Sequence, residues 1–403
     1  MNVVIVDGDV SYPATSGKRL RTLNLMLRLA RRHRITYIAR GDAGSAEARQ
    51  ATEFLGDQGI ETIVVDHPLP RKSGPLFYAR LAANLLSALP YSAASHHSPR
   101  MRQAVREYAA QNRVDLWQLE WTPYAAALRG LAGTPTLLVA HNVDTLLWQR
   151  YYETERHPVK RWFIKQQWRK FERLERRMFG EATRVVTVSP DDAAIVRDQF
   201  GVGRVDVVDN GIDRAYFEGV KGCREPHHIL FLGSLEWRPN LDAVRVLLDQ
   251  VFPQVRAREP ATRLLIVGRN PPPWLVQRTQ ALDGVDLHAN VADVRPFLGR
   301  SGVMAVPLRI GGGSRLKILE ALATGLPVVS TRVGAEGLAL QGGEHLVVVD
   351  GVNDMAAALV DCIRAPGRAV EMAERGRQLV LERYDWDALA GKLEQVWDRC
   401  VRG

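Results

Sequence analysis

The chain has 403 residues, which is too long for one typical hydrophobic core and fits two domains of about 150 to 250 residues each. With 46% hydrophobic and 25% charged residues, and no apolar run of the roughly 18 residues that a membrane-spanning helix needs, a water-soluble globular protein is expected. The net charge is +9, but the sequence has no nucleic-acid-binding motif, so no nucleic acid partner is expected. The three cysteines are widely spaced, which favours a cytoplasmic protein without a metal site.

Short β-branched runs alternate with longer helical patterns in the first half of the chain, which is typical of a parallel α/β domain. The apolar run at residues 3–6 ends at an acid too early for a signal peptide, so the first strand is predicted there instead. Leucines at helical spacing follow it. Further strands are predicted at 35–39, 62–65, 116–119, 136–140, 185–188 and 207–208.

The strand–helix series restarts after residues 214–226, whose glycines and charges indicate a linker. Its strands are predicted at 228–233, 263–268, 285–289, 302–307, 327–330 and 346–349. Apolar residues at helical spacing in 385–401 predict a final helix that packs on the domains. The restart predicts an α/β fold with two Rossmann-like α/β/α domains, assigned to residues 1–213 and 214–384, and a C-terminal crossing helix at 385–403.

The strongest functional signal is a glycine-rich segment after a predicted strand. It runs Gly311-Gly312-Gly313-Ser314-Arg315-Leu316-Lys317, and Glu320 follows within one turn. Glycines let a backbone approach a ligand closely, and the free N–H groups at a helix start attract anions. Ser314 is the predicted N-cap, while Arg315 and Lys317 add positive charge. The segment therefore predicts a nucleotide-sugar site, with diphosphate at the helix start and ribose at Glu320; the alternative is a plain loop with a Lys317–Glu320 pair.

This segment resembles the donor-site motif of the family 4 retaining glycosyltransferases, which have the GT-B fold, with two domains facing a central cleft. Members commonly carry two glutamates there, the first contacting the sugar and the second the ribose. Glu320 matches the second, whereas Gly312 stands at the first. The resemblance implies that the backbone amides of Gly312, Gly313 and Ser314 replace that glutamate.

Two further segments of the second half resemble the same family. The stretch from Gly233 to Asn240 matches a loop that holds the diphosphate with cationic residues, and here Ser234 and Asn240 occupy those positions. The phosphate charge is therefore assigned to Arg315 and Lys317, with Arg238 as a further candidate. The segment around Val291 matches the region that borders the nucleobase in the family.

In the first half, Ser16 and Gly17 follow the first strand and open a helix, which resembles the family's glycine loop at the donor site. The alternative is an ordinary strand–helix turn with Lys18 and Arg19 in solvent. His141 follows the strand at 136–140, where α/β proteins bind ligands, and the resemblance implies that it lines the donor sugar; alone, it is equally consistent with a structural histidine.

Residues 156–178 combine nine lysines and arginines with aromatic residues in an amphipathic helical pattern. The favoured interpretation is a helix that packs its apolar face on the first domain. The alternative is a helix that lies on an anionic membrane, as a lipid-linked acceptor would require.

The resemblance implies a hexosyl transfer with retention of anomeric configuration, from a nucleotide diphosphate sugar to a glycan, lipid-linked or small-molecule acceptor. His141, Arg315 and Lys317 are the predicted catalytic residues, and no metal or other cofactor is expected. We expect a cytoplasmic protein, either free or at the inner face of the membrane. A nucleotide-sugar 2-epimerase of the same architecture and a non-catalytic nucleotide-sugar-binding module are the alternatives.

Overall fold

The computed structural model describes residues 1–70, 73–131, 133–220, 222–310 and 315–403, which form two compact units. The first unit comprises Met1–Asp209 together with Asp387–Gly403, and the second comprises Asn210–Trp386. The chain thus changes unit after Asp209 and again after Trp386.

A seven-stranded parallel sheet forms the centre of the first unit. Its strands are β1 (Asn2–Asp7), β2 (Arg34–Gly41), β3 (Glu61–Asp66), β4 (Leu116–Leu119), β5 (Thr136–Ala140), β6 (Arg184–Thr187) and β7 (Val205–Val207), in the order β3-β2-β1-β4-β5-β6-β7. Residues 3–6 of β1 are fully buried on both faces of the sheet. This burial explains why the strand is a continuous apolar run, since helices cover both faces of a parallel sheet.

Helices and one 3₁₀ segment connect these strands. They are α1 (Gly17–Leu29), α2 (Ala46–Asp57), α3 (Pro75–Asn84), α4 (Tyr91–His96), α5 (Pro99–Gln111), the 3₁₀ helix Thr122–Leu128, α6 (Asp144–Thr154), α7 (Pro158–Glu181) and α8 (Pro190–Phe200). Several begin at side-chain caps; for example, the hydroxyl of Ser189 accepts a hydrogen bond from the backbone N–H of Asp192 at the start of α8.

The second unit is built on a six-stranded parallel sheet. Its strands are β8 (Glu225–Leu232), β9 (Arg263–Gly268), β10 (Val285–Ala289), β11 (Ser301–Val306), β12 (Val328–Thr331) and β13 (Val347–Val349), in the order β10-β9-β8-β11-β12-β13. Its helices are α9 (Arg214–Glu218), α10 (Arg238–Val246), which continues through the π-helical turn Leu247–Val251 into α11 (Phe252–Arg258), α12 (Pro273–Gln280), α13 (Arg295–Arg300), α14 (Leu316–Ala323), α15 (Arg332–Ala335), α16 (Val352–Arg364) and α17 (Pro366–Arg383).

The last helix, α18 (Trp386–Arg402), belongs to the first unit from Asp387 onwards. The indole N–H of its buried Trp397 donates to Gln118 in β4, and Glu394 pairs with His33. The predicted fold class is confirmed: two Rossmann-like sheets with a C-terminal helix that packs back onto the first domain. In the part of the chain that the structure describes, no helix combines the length and apolar character that a membrane crossing requires.

Both sheets reverse their direction of winding at one point. In the first sheet β1 lies between β2 and β4, and in the second sheet β8 lies between β9 and β11. At such a switch point the connections leave the two strands in opposite directions and open a crevice at their carboxyl ends, where open α/β sheets bind ligands. The ends of β1 and β4, and those of β8 and β11, are therefore the places to look for a site.

All the strands predicted from the sequence are present, with small shifts at their ends, but two other predictions are wrong. The predicted linker contains α9, which the side chain of Asp213 caps, and the first residues of β8. The helix of the glycine-rich segment begins at Leu316 with Arg315 at the N-cap position, instead of beginning after Ser314.

Candidate functional site

The glycine-rich segment follows β11, one of the two strands at the switch point of the second sheet. Residues 311–314 lie outside the described residues, so the predicted contacts of Gly312, Gly313 and Ser314 remain predictions. Beyond them, Arg315 is buried at the N-cap of α14, and Lys317 and Glu320 lie three positions apart in its first two turns. Side chains at this spacing lie on the same side of a helix.

Lys317 joins this helix to the first turn of α10, the helix that follows β8. Its Nζ donates to Oδ1 of Asn240 at 2.8 Å, and Nδ2 of Asn240 donates to the backbone carbonyl of Ser234 at 2.8 Å. The ammonium group also lies 4.8 Å from the ring centroid of Phe231, within the range of a cation–π contact. The helices that follow β8 and β11 at the switch point are thus held together by the side chain that is predicted to bind phosphate.

The close approach of Lys317 explains why position 233 is a glycine. A Cβ atom at this position would lie 2.7 Å from Nζ of Lys317 and 2.8 Å from Nδ2 of Asn240, closer than real Cβ contacts. Ser234 contributes its backbone carbonyl, while its hydroxyl donates to Glu236 at 3.3 Å. Gly233 and Ser234 therefore lie beside the contact between Lys317 and Asn240 at the end of β8.

The charges at this position are strongly perturbed by burial. Burial, and to a smaller extent the neighbouring guanidinium of Arg315, lower the pKa of Lys317 to about 7. Burial likewise raises the pKa of Glu320 to about 7, against the opposing effect of the Lys317 charge. Titratable groups with such shifts in a crevice are typical of functional sites, and an arriving anion would favour the charged form of Lys317.

A second group of polar side chains lies beside Glu320. The hydroxyl of Tyr216 donates to Asp293 at 3.1 Å, and the guanidinium of Arg295 lies 4.1 Å from the Tyr216 ring centroid. Burial raises the pKa of Tyr216, and the charge of Glu320 contributes to this rise. This group places the loop after β10, with half-buried Val291, near the predicted ribose contact. Sequence reasoning missed Tyr216 because it lies in the stretch that was interpreted as a linker.

In the first unit, Ser16 and Gly17 lie at the start of α1, beside the carboxyl end of β1. The hydroxyl of Ser16 accepts a hydrogen bond from the backbone N–H of Arg19 at 3.3 Å and so caps the helix. The alternative of solvated cations is wrong, because Lys18 forms an ion pair with buried Asp7 and Arg19 pairs with both Asp9 and Glu47.

His141 lies at the carboxyl end of β5, where its ring contacts a carboxylate that the sequence reasoning had not identified. Its Nε2 is 2.8 Å from Oε2 of Glu120, and the hydroxyl of Thr22 donates to the same oxygen at 2.9 Å. Burial opposes ionisation of Glu120, but the contacts with His141 and the charge of Lys18 hold its pKa at about 2. Burial lowers the pKa of His141.

Glu120 could have been identified if the strand order had been known. It is the first residue after β4, and β4 pairs with β1 at the switch point of the first sheet. An acid that directly follows a buried strand is a recognisable signal, but only the pairing of β4 with β1 shows that this strand end faces the crevice.

Across residues 1–70, 73–131, 133–220, 222–310 and 315–403, no group of three or more histidine, cysteine, aspartate or glutamate side chains is arranged to hold a metal ion. The switch point of the second sheet has Arg315, Lys317 and Glu320, and that of the first has Lys18, His141 and Glu120. Such groups suit an anionic ligand and a polyhydroxylated one.

Comparison with known proteins gives matches along most of the chain. A family model described as Glycosyltransferase Family 4 matches residues 17–216, and one described as Glycosyl transferases group 1 matches residues 226–365. The glycogen synthase of Mycobacterium tuberculosis is 26% identical over 286 residues, which cover 68% of each chain.

Two solved structures are similar over almost the whole chain. The sucrose-phosphate synthase of Thermosynechococcus elongatus has a TM-score of 0.73 at 18% identity and covers 99% of both chains. HepE from Anabaena, solved in complex with UDP and glucose, has a TM-score of 0.68 at 14% identity, covering 99% of this chain and 100% of the other. At these identities the structural matches establish the fold alone.

Proposed function

The chain belongs to the family 4 glycosyltransferases, retaining enzymes of the GT-B fold that use nucleotide-sugar donors, and on this premise we propose the reaction that it catalyses. It transfers a hexosyl unit from a UDP- or GDP-sugar to a hydroxyl group of a glycan, lipid-linked or small-molecule acceptor. The product belongs to polysaccharide or glycoconjugate biosynthesis. This makes the protein a hexosyltransferase whose co-substrate is the nucleotide sugar.

The observation that carries the proposal is the contact between Lys317 and Asn240 at the switch point of the second sheet. It brings a cation and the N-terminus of α14 to the place where an α/β sheet binds its ligand. The helix start supplies partial positive charge, and Glu320 lies one turn further along as an acceptor for ribose hydroxyls.

In the proposed mechanism the diphosphate leaves with the electrons of the glycosidic bond, so its oxygens gain negative charge in the transition state. Arg315, Lys317 and the start of α14 stabilise that charge without a metal ion, since they are fixed before the reaction begins. The acceptor hydroxyl attacks on the face that the diphosphate leaves, and a phosphate oxygen takes its proton. His141 contacts the donor sugar, and Ser16 and Gly17 border it with their backbone.

We further place the protein at the cytoplasmic face of the membrane when its acceptor is lipid-linked. The favoured interpretation of the basic helix holds for most of its length, because Phe171 and Met178 of α7 are buried in the first unit. Its first turns differ: Val159 and Trp162 are 67% and 52% exposed beside Lys160 and Arg161, which are also exposed. A surface of apolar and basic side chains favours an anionic bilayer.

A thermal-shift panel of UDP-, GDP-, ADP- and dTDP-sugars tests donor binding. A donor present at 100 times its Kd should stabilise the protein by about 2.7 kcal/mol, and Glu320→Ala should abolish most of that shift.

Conversion of a UDP-sugar to its 2-epimer without an acceptor would favour the epimerase instead. Binding with neither transfer nor hydrolysis would favour a non-catalytic module, and a panel without any shift would contradict the proposal.

A further inference from the structure

The hydrogen bonds around Glu120 continue to the C-terminal helix. The indole Nε1 of Trp397 in α18 lies 2.7 Å from Oε1 of Gln118, and Nε2 of Gln118 lies 2.5 Å from Oε1 of Glu120. The other carboxylate oxygen of Glu120 contacts Nε2 of His141. Trp397, Gln118 and Glu120 are all buried, so water does not compete for these contacts.

The chemistry of the indole fixes the direction of every bond in this chain. An indole N–H can only donate, so the amide oxygen of Gln118 must face Trp397 and its NH₂ group must face Glu120. The carboxylate of Glu120 accepts that bond at Oε1 and has only acceptor capacity left at Oε2. His141 must therefore donate from Nε2.

In the part of the chain that the structure describes, Glu120 is the charged group in hydrogen-bond contact with this nitrogen of His141. The charges that face the pair come from Lys18 and Arg21 of α1 and from Asp7 of β1. Lys18 forms its ion pair with Asp7, and Arg21 donates to the backbone carbonyl of Asp209 at 2.5 Å. Glu120 is thus the hydrogen-bond partner that sets the state of the ring.

We infer that Glu120 is a positioning residue that holds His141 as the neutral Nε2–H tautomer, so that Nδ1 accepts a hydrogen bond from a sugar hydroxyl. A neutral imidazole that donates from one nitrogen has an unprotonated second nitrogen, which can only accept. The side chain of His141 is 11% exposed, which leaves part of the ring open to a ligand. The identity of the ligand rests on the proposed function. The proton on Nε2 rests on the contacts, and the neutral state of the ring rests on burial, which lowers the pKa of His141.

The direction of the bonds predicts an unusual effect of Glu120→Gln. Because Trp397 keeps the NH₂ group of Gln118 pointed at position 120, the new amide must turn its oxygen towards Gln118. The NH₂ group of the new amide then faces Nε2 of His141. Because an NH₂ group can only donate, Nε2 must accept this hydrogen bond. The ring must move its proton to Nδ1, and it then presents a donor where the wild-type ring presents an acceptor.

The same reasoning predicts that a second substitution restores the tautomer. Trp397→Phe removes the donor that fixes Gln118, so the Gln118 amide can turn its oxygen towards position 120. In the double variant with Glu120→Gln, the new amide can then turn its own oxygen towards His141. The Nε2–H form becomes available again.

Long-range ¹H–¹⁵N NMR of protein labelled at its 10 histidines tests the inference directly, with His141→Gln used to assign the resonance. We expect Nε2–H in the wild-type protein and in Trp397→Phe, Nδ1–H in Glu120→Gln, and Nε2–H in the double variant. A wild-type ring with its proton on Nδ1 would overturn the inference even if Glu120→Gln failed to fold. An unchanged tautomer in folded Glu120→Gln would overturn it as well.

Kinetics show whether Glu120 acts through His141. Glu120→Gln should lower kcat/KM by about 10- to 100-fold, as loss of a group that orients a functional histidine does elsewhere. In a His141→Ala background the same change should cost no more than about twofold, since the group it positions is gone. Equal losses in both backgrounds would refute the positioning role. Absence of turnover in wild-type protein would instead count against the proposed function, and the NMR spectra would still decide the tautomer.

Discussion

At the scale of single residues, burial leaves two side chains of the proposed donor site only partly ionised at neutral pH. Lys317 and Glu320 both have pKa values of about 7, one lowered and the other raised by burial. A site of this kind is only partly charged while it is empty near neutral pH. Binding of a diphosphate should draw a proton onto Lys317, because a neighbouring anion stabilises the ammonium form.

This proton uptake makes nucleotide affinity depend on pH. The affinity for UDP should be greatest near pH 7. Above the pKa that Lys317 has in the free protein, the affinity should fall by up to about tenfold for each pH unit. The fall should stop at the pKa that Lys317 has in the UDP complex. Glu320, whose pKa is also about 7, still titrates up to about pH 8, so the range above about pH 8 isolates Lys317. Isothermal titration calorimetry in two buffers of different ionisation enthalpy measures both the affinity and the proton uptake.

Lys317→Arg is the matched control for this experiment, since a guanidinium keeps its charge over the whole range. Its affinity for UDP should stay flat between about pH 8 and pH 9 while the wild-type affinity falls. Proton uptake of zero by the wild-type protein at pH 8, or the same pH dependence in both proteins, would show that Lys317 does not contact the diphosphate.

At the scale of elements, α7 is divided into two parts with different surroundings. Its second part is held in the first unit by buried polar contacts: Nζ of Lys170 donates to the carbonyl of Asn84 at 2.6 Å, and Glu175 accepts from the backbone N–H groups of Asp144 and Thr145 at the start of α6. Its first turns, with Val159 and Trp162, are exposed. A membrane contact must therefore be made by the first turns.

Co-sedimentation with anionic vesicles tests this division. Lys160→Glu with Arg161→Glu should weaken binding by about 2 kcal/mol or more, roughly 30-fold, because each basic residue near an anionic bilayer contributes about 1 kcal/mol. The control Arg173→Glu with Arg177→Glu changes the net charge equally in the second part of the helix and should weaken binding less. Equal losses in the two variants would argue against a membrane contact by the first turns. Binding of wild-type protein to neutral vesicles at the same strength would argue against a role of the basic residues.

At the scale of the whole molecule, the strands could be predicted from the sequence because parallel sheets need continuous apolar runs. Strand order could not be predicted, since it depends on which strand ends lie side by side. This is why His141 was identified and its partner Glu120 was missed. Tyr216 was missed for a local reason: α9 has only five residues and lies between glycines and charges that are typical of a linker. Glu320 and Lys317 were predicted because their spacing on a helix has a direct chemical meaning.

The central claim is that the chain transfers a hexosyl unit from a nucleotide sugar with retention and without a metal ion. ¹H NMR can follow a purified sample, with EDTA present, as it hydrolyses the α-linked donor that the thermal-shift panel identifies, or transfers its sugar to an acceptor. We predict that the first product carries the α configuration, before mutarotation sets in, and that EDTA leaves the rate unchanged. A first product of β configuration, a 2-epimer, or a rate that returns only when a divalent ion is added would contradict the account.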